Sequence, residues 1–514
     1  MKKLLCFLSA LFLSIAGQSQ SCLPEGITFT LQSQIDSFQV NYPGCTVIEG
    51  DVFIHDNSDI WNLNGLNVLT AIDGSFHIQN NQMLASLTGL NNLEGVGGFF
   101  WIGYNNKLVN LNGLNSLIDV GMALIIHSND SLMSFTGFDN LTHIGGEFII
   151  RSNHSLINLT GLISLSSIGG FLSIQLNSYL ENLTGIESLT NIGGRLDICY
   201  NWSLTSLAGL NNIDPQSIEG LAIHENVSLS NCAVLSICEY LSNPTGYVYI
   251  LNNAMGCKDP PQVAGACGIT LPCLPYGYFY FKSQDDIDNF PSNYPGCTHL
   301  AGGITQIKGS NITNLDSLYV IKSIGGTLEI RHNPMLINLE GLCNVTSIGG
   351  NLWIFSNASL SGLHGLDSID AGSISNLYIT SNPNLSECHV QSVCDYIFNP
   401  NGNLSIISNN QGCNTVQEVE AACSVGIGGG IPEESGIRIY PNPASGRIII
   451  EIKDISPAIL VTIFNPSGQR VRQFQVTETM TILDIEDFPA GVYFVRMTGD
   501  DSVLTCKLIK TTKY

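Results

Sequence analysis

The sequence predicts an all-β protein built from two parallel β-solenoid modules with disulfide-rich caps, followed by a small antiparallel β-sandwich. Three observations predict this fold: a 24-residue repeat, cysteines that recur at fixed offsets, and short alternating apolar segments in residues 437–514. The 514 residues are 44% apolar and only 12% charged, so the chain has enough apolar surface for several buried cores.

The N-terminus has the pattern of a secretory signal peptide, predicted over residues 1–19. Lys2 and Lys3 precede an apolar run over residues 4–15, and small and polar residues follow. The run is too short to span a bilayer, and no later segment offers about 18 uninterrupted apolar residues. We therefore expect an exported chain without a membrane span. A lipid anchor on Cys22 is the less favoured alternative, because Gln20 and Ser21 do not form a small-residue box.

The charge distribution excludes one class of partner. Residues 20–436 contain eight Lys and Arg against 34 Asp and Glu, and the whole chain has a formal net charge of −23. Nucleic-acid binding needs a basic surface that replaces the counterions on phosphate, and this region cannot supply one. The sequence therefore predicts no nucleic-acid partner, and binding to anionic lipid is disfavoured for the same reason.

Three residue types recur every 24 positions in the first half of the chain. The columns are Ile54, Ile78, Ile102, Ile126, Ile150, Ile174 and Ile198; Asn57, Asn81, Asn105, Asn129, Asn153, Asn177 and Asn201; and Gly65, Gly89, Gly113, Gly137, Gly161, Gly185 and Gly209. One turn alone buries too little apolar surface to offset the entropy of ordering it. The turns must therefore stack strand on strand, which predicts a solenoid.

Two corners are predicted for each turn. The Asn ends a strand and is expected to face inward, where its amide can satisfy backbone groups. The paired glycines, as at Gly169 and Gly170, are expected to form a second corner that needs positive φ.

The same repeat returns in a shorter second module. Cys45 recurs 252 residues later as Cys297, whereas the four cysteines at the other end recur 156 residues later. These offsets differ by 96 residues, which is four turns of 24. We predict a first module over residues 20–267 and a second over residues 268–423.

Cysteines cluster at the module ends, where they are expected to form disulfides that staple the caps. The candidates are Cys22, Cys45, Cys232, Cys238, Cys257, Cys267, Cys273, Cys297, Cys388, Cys394, Cys413 and Cys423. We predict the pairs Cys22–Cys45 and Cys273–Cys297 and leave the C-terminal caps open. The remaining thiols, those of Cys199, Cys343 and Cys506, are predicted to be buried. A capping helix is predicted over residues 229–240, with its N-cap at Ser230 or Asn231.

The repeat reads Ile-x-x-Asn-x-x-Leu-x-x-Leu-x-Gly-Leu-x-x-Leu-x-x-Ile-Gly-Gly between cysteine-rich caps. This pattern resembles the receptor L-domain of insulin- and epidermal-growth-factor-type receptors. The resemblance implies a right-handed β-helix whose strand face binds ligands. Ordinary leucine-rich repeats are the alternative, although they usually show Asn-x-Leu where this chain has Asn-x-x-Leu.

After a flexible linker predicted over residues 424–436, the 24-residue period disappears. Seven short alternating runs predict the strands of an immunoglobulin-like antiparallel sandwich. They cover residues 437–440, 447–452, 460–464, 471–476, 481–485, 492–497 and 504–509.

Three short motifs in this tail carry a second resemblance. Their residues are Tyr440, Pro441, Asn442 and Pro443; Gly491 and Tyr493; and Lys507 and Lys510. The tail resembles the type A C-terminal sorting domain of the type IX secretion system. The resemblance implies the type IX machinery as a partner, and a cargo that is secreted or attached to the outer surface of a Gram-negative bacterium. An immunoglobulin-like domain that binds another molecule is the alternative.

The sequence predicts no catalytic residue, cofactor or metal site. Common nucleophile, zinc-protease and phosphate-loop motifs are not found, and close Cys-x-x-Cys pairs are missing. His55 and His127 share a column but lie three turns, about 14 Å, apart. A polysaccharide-active enzyme on a β-helix is the alternative, with acids and bases on the strand face. Its candidate groups are Glu147, Arg151, Arg195 and Asp197.

Outward positions of the strands carry large apolar residues, which predict a ligand-binding face. The candidates are Phe99, Trp101, Tyr104, Ile125, His127, Ile149, Arg151, Trp353, Phe355 and Tyr378. We expect Phe99, Trp101, Ile125 and Ile149 to form one patch suited to an unidentified glycan or surface protein. The predicted role is adhesion or binding at the cell surface. A face covered by a loop, by the other module or by a second copy, and a structural surface-layer role, are the alternatives.

Overall fold

The structure is a computed structural model that describes residues 20–57, 59–275, 277–426, 437–440, 444, 446–452, 459–465, 469–498 and 503–510. The predicted signal peptide and most of the predicted linker lie outside these residues. The chain is mostly β, with 16% helix, long parallel sheets and several disulfides. It divides into unit 1, residues up to 307 with 320–328, and unit 2, residues 308–319 with those from 329 onward.

Two parallel sheets run through unit 1. The narrow sheet contains Gln20–Cys22, Cys45–Ile48, Ala71–Ile72, Gly95–Val96, Asp119–Val120, His143–Ile144, Ser167–Ile168 and Asn191–Ile192. The wide sheet contains Ile27–Phe29, Val52–Asn57, Phe76–Asn81, Phe100–Gly103, Leu124–His127, Phe148–Arg151, Leu172–Gln175, Arg195–Cys199, Gly220–His224 and Val248–Leu251. Leu124 has Phe100 and Phe148 as its Cα partners. One 24-residue step in sequence is therefore one strand-to-strand step in the sheet.

Alternate residues of the wide sheet point into the core. Ile54, Ile78 and Ile102 are fully buried, and the buried rings of Phe76 and Phe100 stack with centroids 5.1 Å apart. Leu and Ile from the loops of each turn complete this core. Because every turn repeats the pattern, apolar side chains lie in continuous files through the unit.

The predicted inward-facing Asn forms a buried ladder. The Asn153 backbone N–H donates to Asn177 Oδ1 at 3.0 Å, and its side-chain amide donates to the carbonyl of Ile126 at 3.0 Å. Asn153 Oδ1 in turn accepts from the backbone N–H of Asn129 at 3.1 Å. The residue before each Asn, such as Ser152 with φ 55°, is left-handed. The ladder thus satisfies the backbone at a corner without exposing it to water.

The prediction of positive φ at Gly169 and Gly170 is wrong. The positive-φ corner lies at Gly161, with φ 112°, where a Cβ would approach the Phe135 carbonyl oxygen to 2.1 Å. Gly169 keeps an ordinary φ, but a Cβ there would lie 2.2 Å from the Gly145 carbonyl oxygen. The paired glycines are therefore required by close packing of successive backbones.

Helices close the ends of the repeats. They are Gln32–Asp36, Phe38–Asn41, Leu235–Ser242, Pro260–Cys267, Gln284–Asp288, Phe290–Asn293, Gln391–Phe398 and Val416–Gly426. The helix predicted over residues 229–240 begins later, with Val234 as its N-cap. Asn231 cannot start it, because its carbonyl accepts from the Leu207 N–H at 3.0 Å and so continues the parallel pairing.

Six disulfides join the predicted cysteines. Cys22–Cys45 and Cys273–Cys297 are confirmed. The pairs that the sequence left open are Cys232–Cys257, Cys238–Cys267, Cys388–Cys413 and Cys394–Cys423. Cys199 is a buried free thiol as predicted, but Cys343 is exposed and that prediction is wrong. Cys343 ends a short 3-10 turn in which Leu342 takes the inward position. The Cys506 side chain lies outside the described residues.

The second repeat, residues 268–423, uses the same local plan. Its strands are Phe279–Phe281, His299–Leu300, Ile304–Ile307, Ser323–Ile324, Thr327–Arg331, Ser347–Ile348, Leu352–Phe355, Leu377–Thr380 and Leu404–Ile407. In unit 2 the ladder runs from Asn333 through Asn357 and Asn382 to Asn409, with backbone N–H to Oδ1 distances of 3.0–3.1 Å.

The C-terminal region forms two antiparallel sheets. Its strands are Ile437–Tyr440, Arg447–Ile452, Ile459–Phe464, Arg470–Val476, Met480–Asp484, Gly491–Thr498 and Val503–Lys510. All seven predicted runs correspond to strands. Buried Ile448, Val461, Tyr493 and Leu508 contribute to its core. The finer classes, a right-handed solenoid and an immunoglobulin-like sandwich, stay predictions.

Candidate binding face of the wide sheet

Two columns of side chains point outward from the wide sheet of unit 1. The middle column contains Phe53, His77, Trp101, Ile125, Ile149, Ser173, Asp197, Ala222 and Tyr249. The downstream column, two residues further along each strand, contains His55, Gln79, Gly103, His127, Arg151, Gln175, Cys199, His224 and Leu251. The first half of this face is rich in aromatic rings, and the second half contains a group of polar side chains, namely Ser173, Gln175, Asp197, Cys199 and His224.

An aromatic cluster, defined as Phe53, His77, Trp101, Tyr104 and His127, occupies the first half. The Phe53 and His77 rings stack at 4.7 Å, and Trp101 lies 5.8 Å from His77 and 5.3 Å from His127. Tyr104 meets His127 edge-on at 4.6 Å. The ring contacts therefore form a continuous row across four strands.

Gly103 has no side chain, which leaves space that the rings of Trp101 and His127 occupy. A Cβ at Gly103 would lie 2.8 Å from His127 Nε2 and 3.0 Å from Trp101 Nε1. Both nitrogens thus converge above this glycine. Both are buried and have no hydrogen-bond partner among the described residues. Unpaired polar atoms of this kind are costly unless water or a ligand pairs with them.

Burial sets the charge of the cluster. It lowers the pKa of His127, and the positive charge of Arg151 adds to the effect. Burial also lowers the pKa of His77, against the opposing charge of Asp51. Both imidazoles are therefore neutral at neutral pH, and the cluster presents an uncharged aromatic surface.

Three of the four residues of the predicted patch lie in the middle column, and the patch itself stays a prediction. Trp101, Ile125 and Ile149 are strand neighbours and half-buried, whereas Phe99 belongs to a separate column and is 40% exposed. Arg151, the strand neighbour of His127 in the downstream column, is exposed. The sequence analysis missed His77, although its position 24 residues before Trp101 would have revealed it.

Unit 2 carries the other predicted aromatic residues on the same kind of face. Trp353 and Tyr378 are strand neighbours whose rings meet edge-on at 6.1 Å. Phe355 lies 5.7 Å from the His332 ring. Trp353 Nε1, like Trp101 Nε1, is buried without a partner among the described residues.

A polar cluster, defined as Asp197, Cys199 and His224, occupies the second half of the face in unit 1. Their ligating atoms all lie within 4.8 Å of one another. Cys199 and His224 are Cα partners on adjacent strands, and Asp197 lies two residues before Cys199. The sequence analysis missed this group, because it compared the histidines of the column only with one another.

Two neighbours hold the Asp197 carboxylate. Gln175 Nε2 donates to Asp197 Oδ2 at 2.9 Å, and Arg195 Nη2 lies 4.0 Å from the same oxygen. The Arg195 guanidinium also lies over the Phe171 ring at 4.8 Å. Two of the four groups of the predicted enzyme alternative, Arg195 and Asp197, therefore pair with each other.

Burial raises the pKa of the Cys199 thiol to about 12, and the charge of Asp197 and its hydrogen bond to the thiol add to this shift. A thiol in this state is protonated at neutral pH and is a poor nucleophile. Burial lowers the pKa of His224, against the opposing charges of Asp197 and Glu225.

The motifs predicted as a sorting signal converge in the C-terminal sheets. Gly491 and Lys510 are Cα partners, and Ala444, just after the predicted Pro-Asn-Pro segment, forms an isolated bridge with Lys510. Tyr493 is buried, and its hydroxyl donates to the Pro489 carbonyl at 2.8 Å. Residues 441–443 and the side chains of Tyr440 and Lys507 lie outside the described residues.

Comparison with known families gives one match. Residues 438–511 match the secretion system C-terminal sorting domain. A search of curated proteins finds no match to this chain. The matched domain supports export through the type IX secretion system and a secreted or cell-surface location. Among the helices in the described part of the chain, none is long and apolar enough to cross a membrane.

Proposed function

We propose that this chain is a binding protein displayed on the outer surface of a Gram-negative bacterium, where it captures a glycan. The repeats would act as receptor L-domain-like solenoids, and the sorting domain would deliver them to the surface. The role is binding rather than catalysis. The single observation that carries this proposal is the aromatic cluster above Gly103.

The chemistry of that cluster suits a sugar. Flat aromatic surfaces stack on the apolar faces of pyranose rings, and an indole N–H donates to hydroxyl oxygens. Trp101 Nε1 and His127 Nε2 converge without a partner among the described residues, so a hydroxyl group between them would form hydrogen bonds with both nitrogens. Tyr104, 49% exposed, would border the bound ring.

A protein ligand is the second candidate, supported by a different observation. Ile125 and Ile149 extend the cluster with half-buried aliphatic surface along the middle column. Aliphatic surface next to tryptophan and tyrosine is typical of protein contact sites. Screening against glycans and against surface proteins would separate the two candidates.

A glycan array probed with the full-length chain tests the proposal. We expect Trp101→Ala to weaken binding about 30-fold, which corresponds to the loss of one aromatic anchor of about 2 kcal/mol. Trp353→Ala would show whether unit 2 contributes a second site. Trp61→Ala and Trp202→Ala are matched controls, since both residues are more than half exposed outside the two outward columns.

Unchanged glycan binding in Trp101→Ala, with thermal unfolding preserved, would refute the proposed site. An equal loss of binding in Trp202→Ala would also count against it, because general surface hydrophobicity would then explain the signal.

A further inference from the structure

The structure assigns a second site to the other end of the face: Asp197, Cys199 and His224 form a binding site for a zinc-like divalent transition-metal ion. The inference does not depend on the aromatic cluster. Asp197 lies four strands from Trp101 in the middle column, a distance of about 19 Å at the usual strand spacing.

The donor set selects this class of metal. Zinc in proteins is held by carboxylate oxygen, thiolate sulfur and imidazole nitrogen. The Cys199 thiol would release its proton to solvent as the metal ion binds, and would become the thiolate ligand. Calcium and magnesium require oxygen donors, which a Cys and a His do not supply. Three protein ligands leave one tetrahedral position for water or for a donor atom of a bound molecule.

The geometry is close to that of a zinc site. Ligand atoms around tetrahedral zinc lie about 3.3–3.8 Å apart, given bonds of about 2.0–2.3 Å. The three donor atoms already lie within 4.8 Å of one another. Small side-chain rotations on a rigid pair of strands would bring them onto one ion.

Asp197 provides an independent observation. Its side chain is buried, with 9% of the residue exposed, and Oδ1 has no hydrogen-bond partner from nitrogen or oxygen within the described residues. The other oxygen, Oδ2, is held by Gln175, which in turn contacts Ser173 Oγ at 2.6 Å. Outer hydrogen bonds of this kind orient a metal ligand while the second oxygen stays available.

The test uses the full-length chain with Zn²⁺ and with Co²⁺ as a spectroscopic probe. We expect about one ion per chain, and a thiolate-to-cobalt charge-transfer band that reports the Cys199 bond. Cys199→Ser should abolish that band, and His224→Ala should weaken metal affinity more than 100-fold. Gln175→Ala removes only an outer contact and should weaken it about 10–100-fold.

Two controls separate this site from others on the chain. Cys343→Ser removes the exposed free thiol, which lines a surface depression with His364 and Asp367, and should leave the band intact. His127→Ala removes a histidine from the same column as His224 and should also leave metal binding unchanged.

Several results would overturn the inference. The first is a wild-type chain that shows no thiolate-to-cobalt band. The second is loss of the band in Cys343→Ser, and the third is unchanged metal affinity in Cys199→Ser. Circular dichroism of each variant shows whether it has folded. Asp197→Asn, which preserves side-chain size, provides a ligand substitution that is compatible with the packed core and should also weaken binding more than 100-fold.

Discussion

Residues 173–251 of unit 1 and residues 329–407 of unit 2 are two copies of one backbone plan with different faces. In both copies the ladder asparagines are spaced by 25 and then 27 residues, as in Asn201, Asn226 and Asn253. The cap disulfides have the same separations, 25 and 29 residues. Tyr240 and Tyr396 hydroxyls accept equivalent backbone N–H groups at 3.2 and 3.1 Å.

The outward positions differ completely. At the 156-residue offset, Asp197, Cys199 and His224 correspond to Trp353, Phe355 and Thr380. An inward side chain must fit the turns above and below, whereas an outward one contacts only its neighbours on the face. The comparison teaches that the ladder and caps define the scaffold, and that the two outward columns are free to differ between copies of it.

The largest expected effect is a second metal site, created by transferring the polar cluster to unit 2. The triple variant Trp353→Asp, Phe355→Cys and Thr380→His places the three ligands on equivalent strand positions. If the scaffolds are interchangeable, bound Co²⁺ should rise from about one to about two ions per chain, because the three ligands would lie on equivalent strand positions and supply most of the binding free energy. Trp353→Asp alone is the control. A folded triple variant that binds no additional ion would show that the two scaffolds differ at the face.

The next largest effect is a loss of stability when a ladder asparagine is replaced. We expect this loss to be the same in the two units. Asn201→Leu removes the acceptor of two bonds from Asn177 and the donor to Ile174, and Asn357→Leu removes the same three bonds in unit 2. Each substitution should lower the free energy of unfolding by about 4 kcal/mol, since buried groups lose their partners. Denaturant unfolding measures this loss.

Asn158, which is half-buried and caps the Thr160 N–H, is the control for the ladder variants. Asn158→Ala should cost less than about 1 kcal/mol. If Asn357→Leu cost no more than Asn158→Ala, the ladder of unit 2 would not be equivalent to that of unit 1.

Much of this scaffold could be predicted from sequence, because its period is local and strict. The stacked strands, the inward Asn and the Cys22–Cys45 pair all follow from residues repeated at a fixed step. The seven tail strands follow from simple alternation of apolar residues.

The face could be predicted only in part, because its clusters depend on interruptions of the period. Gly103 is the one glycine among the residues named for the downstream column, and its effect on Trp101 and His127 is visible only in three dimensions. Cys199 meets His224 after a step of 25 rather than 24, on a strand where the repeat lengthens. Both clusters therefore lie at irregular positions, which a search for regularity overlooks.

The smallest expected effect is a pH dependence of unit 1 that comes from the aromatic cluster. Burial lowers the pKa of His77 and His127 in the folded chain. Just below the His pKa of the unfolded chain, about 6.5, the unfolded chain therefore binds more protons than the folded chain. The stabilisation is therefore complete above about pH 6.5 and is lost as pH falls toward the folded pKa. Both side chains are only half-buried, so solvent screening keeps this loss small. The double variant His77→Gln, His127→Gln should show a flatter unfolding midpoint between about pH 7.5 and 5.5, whereas an unchanged slope would mean that other groups control the acid response of unit 1.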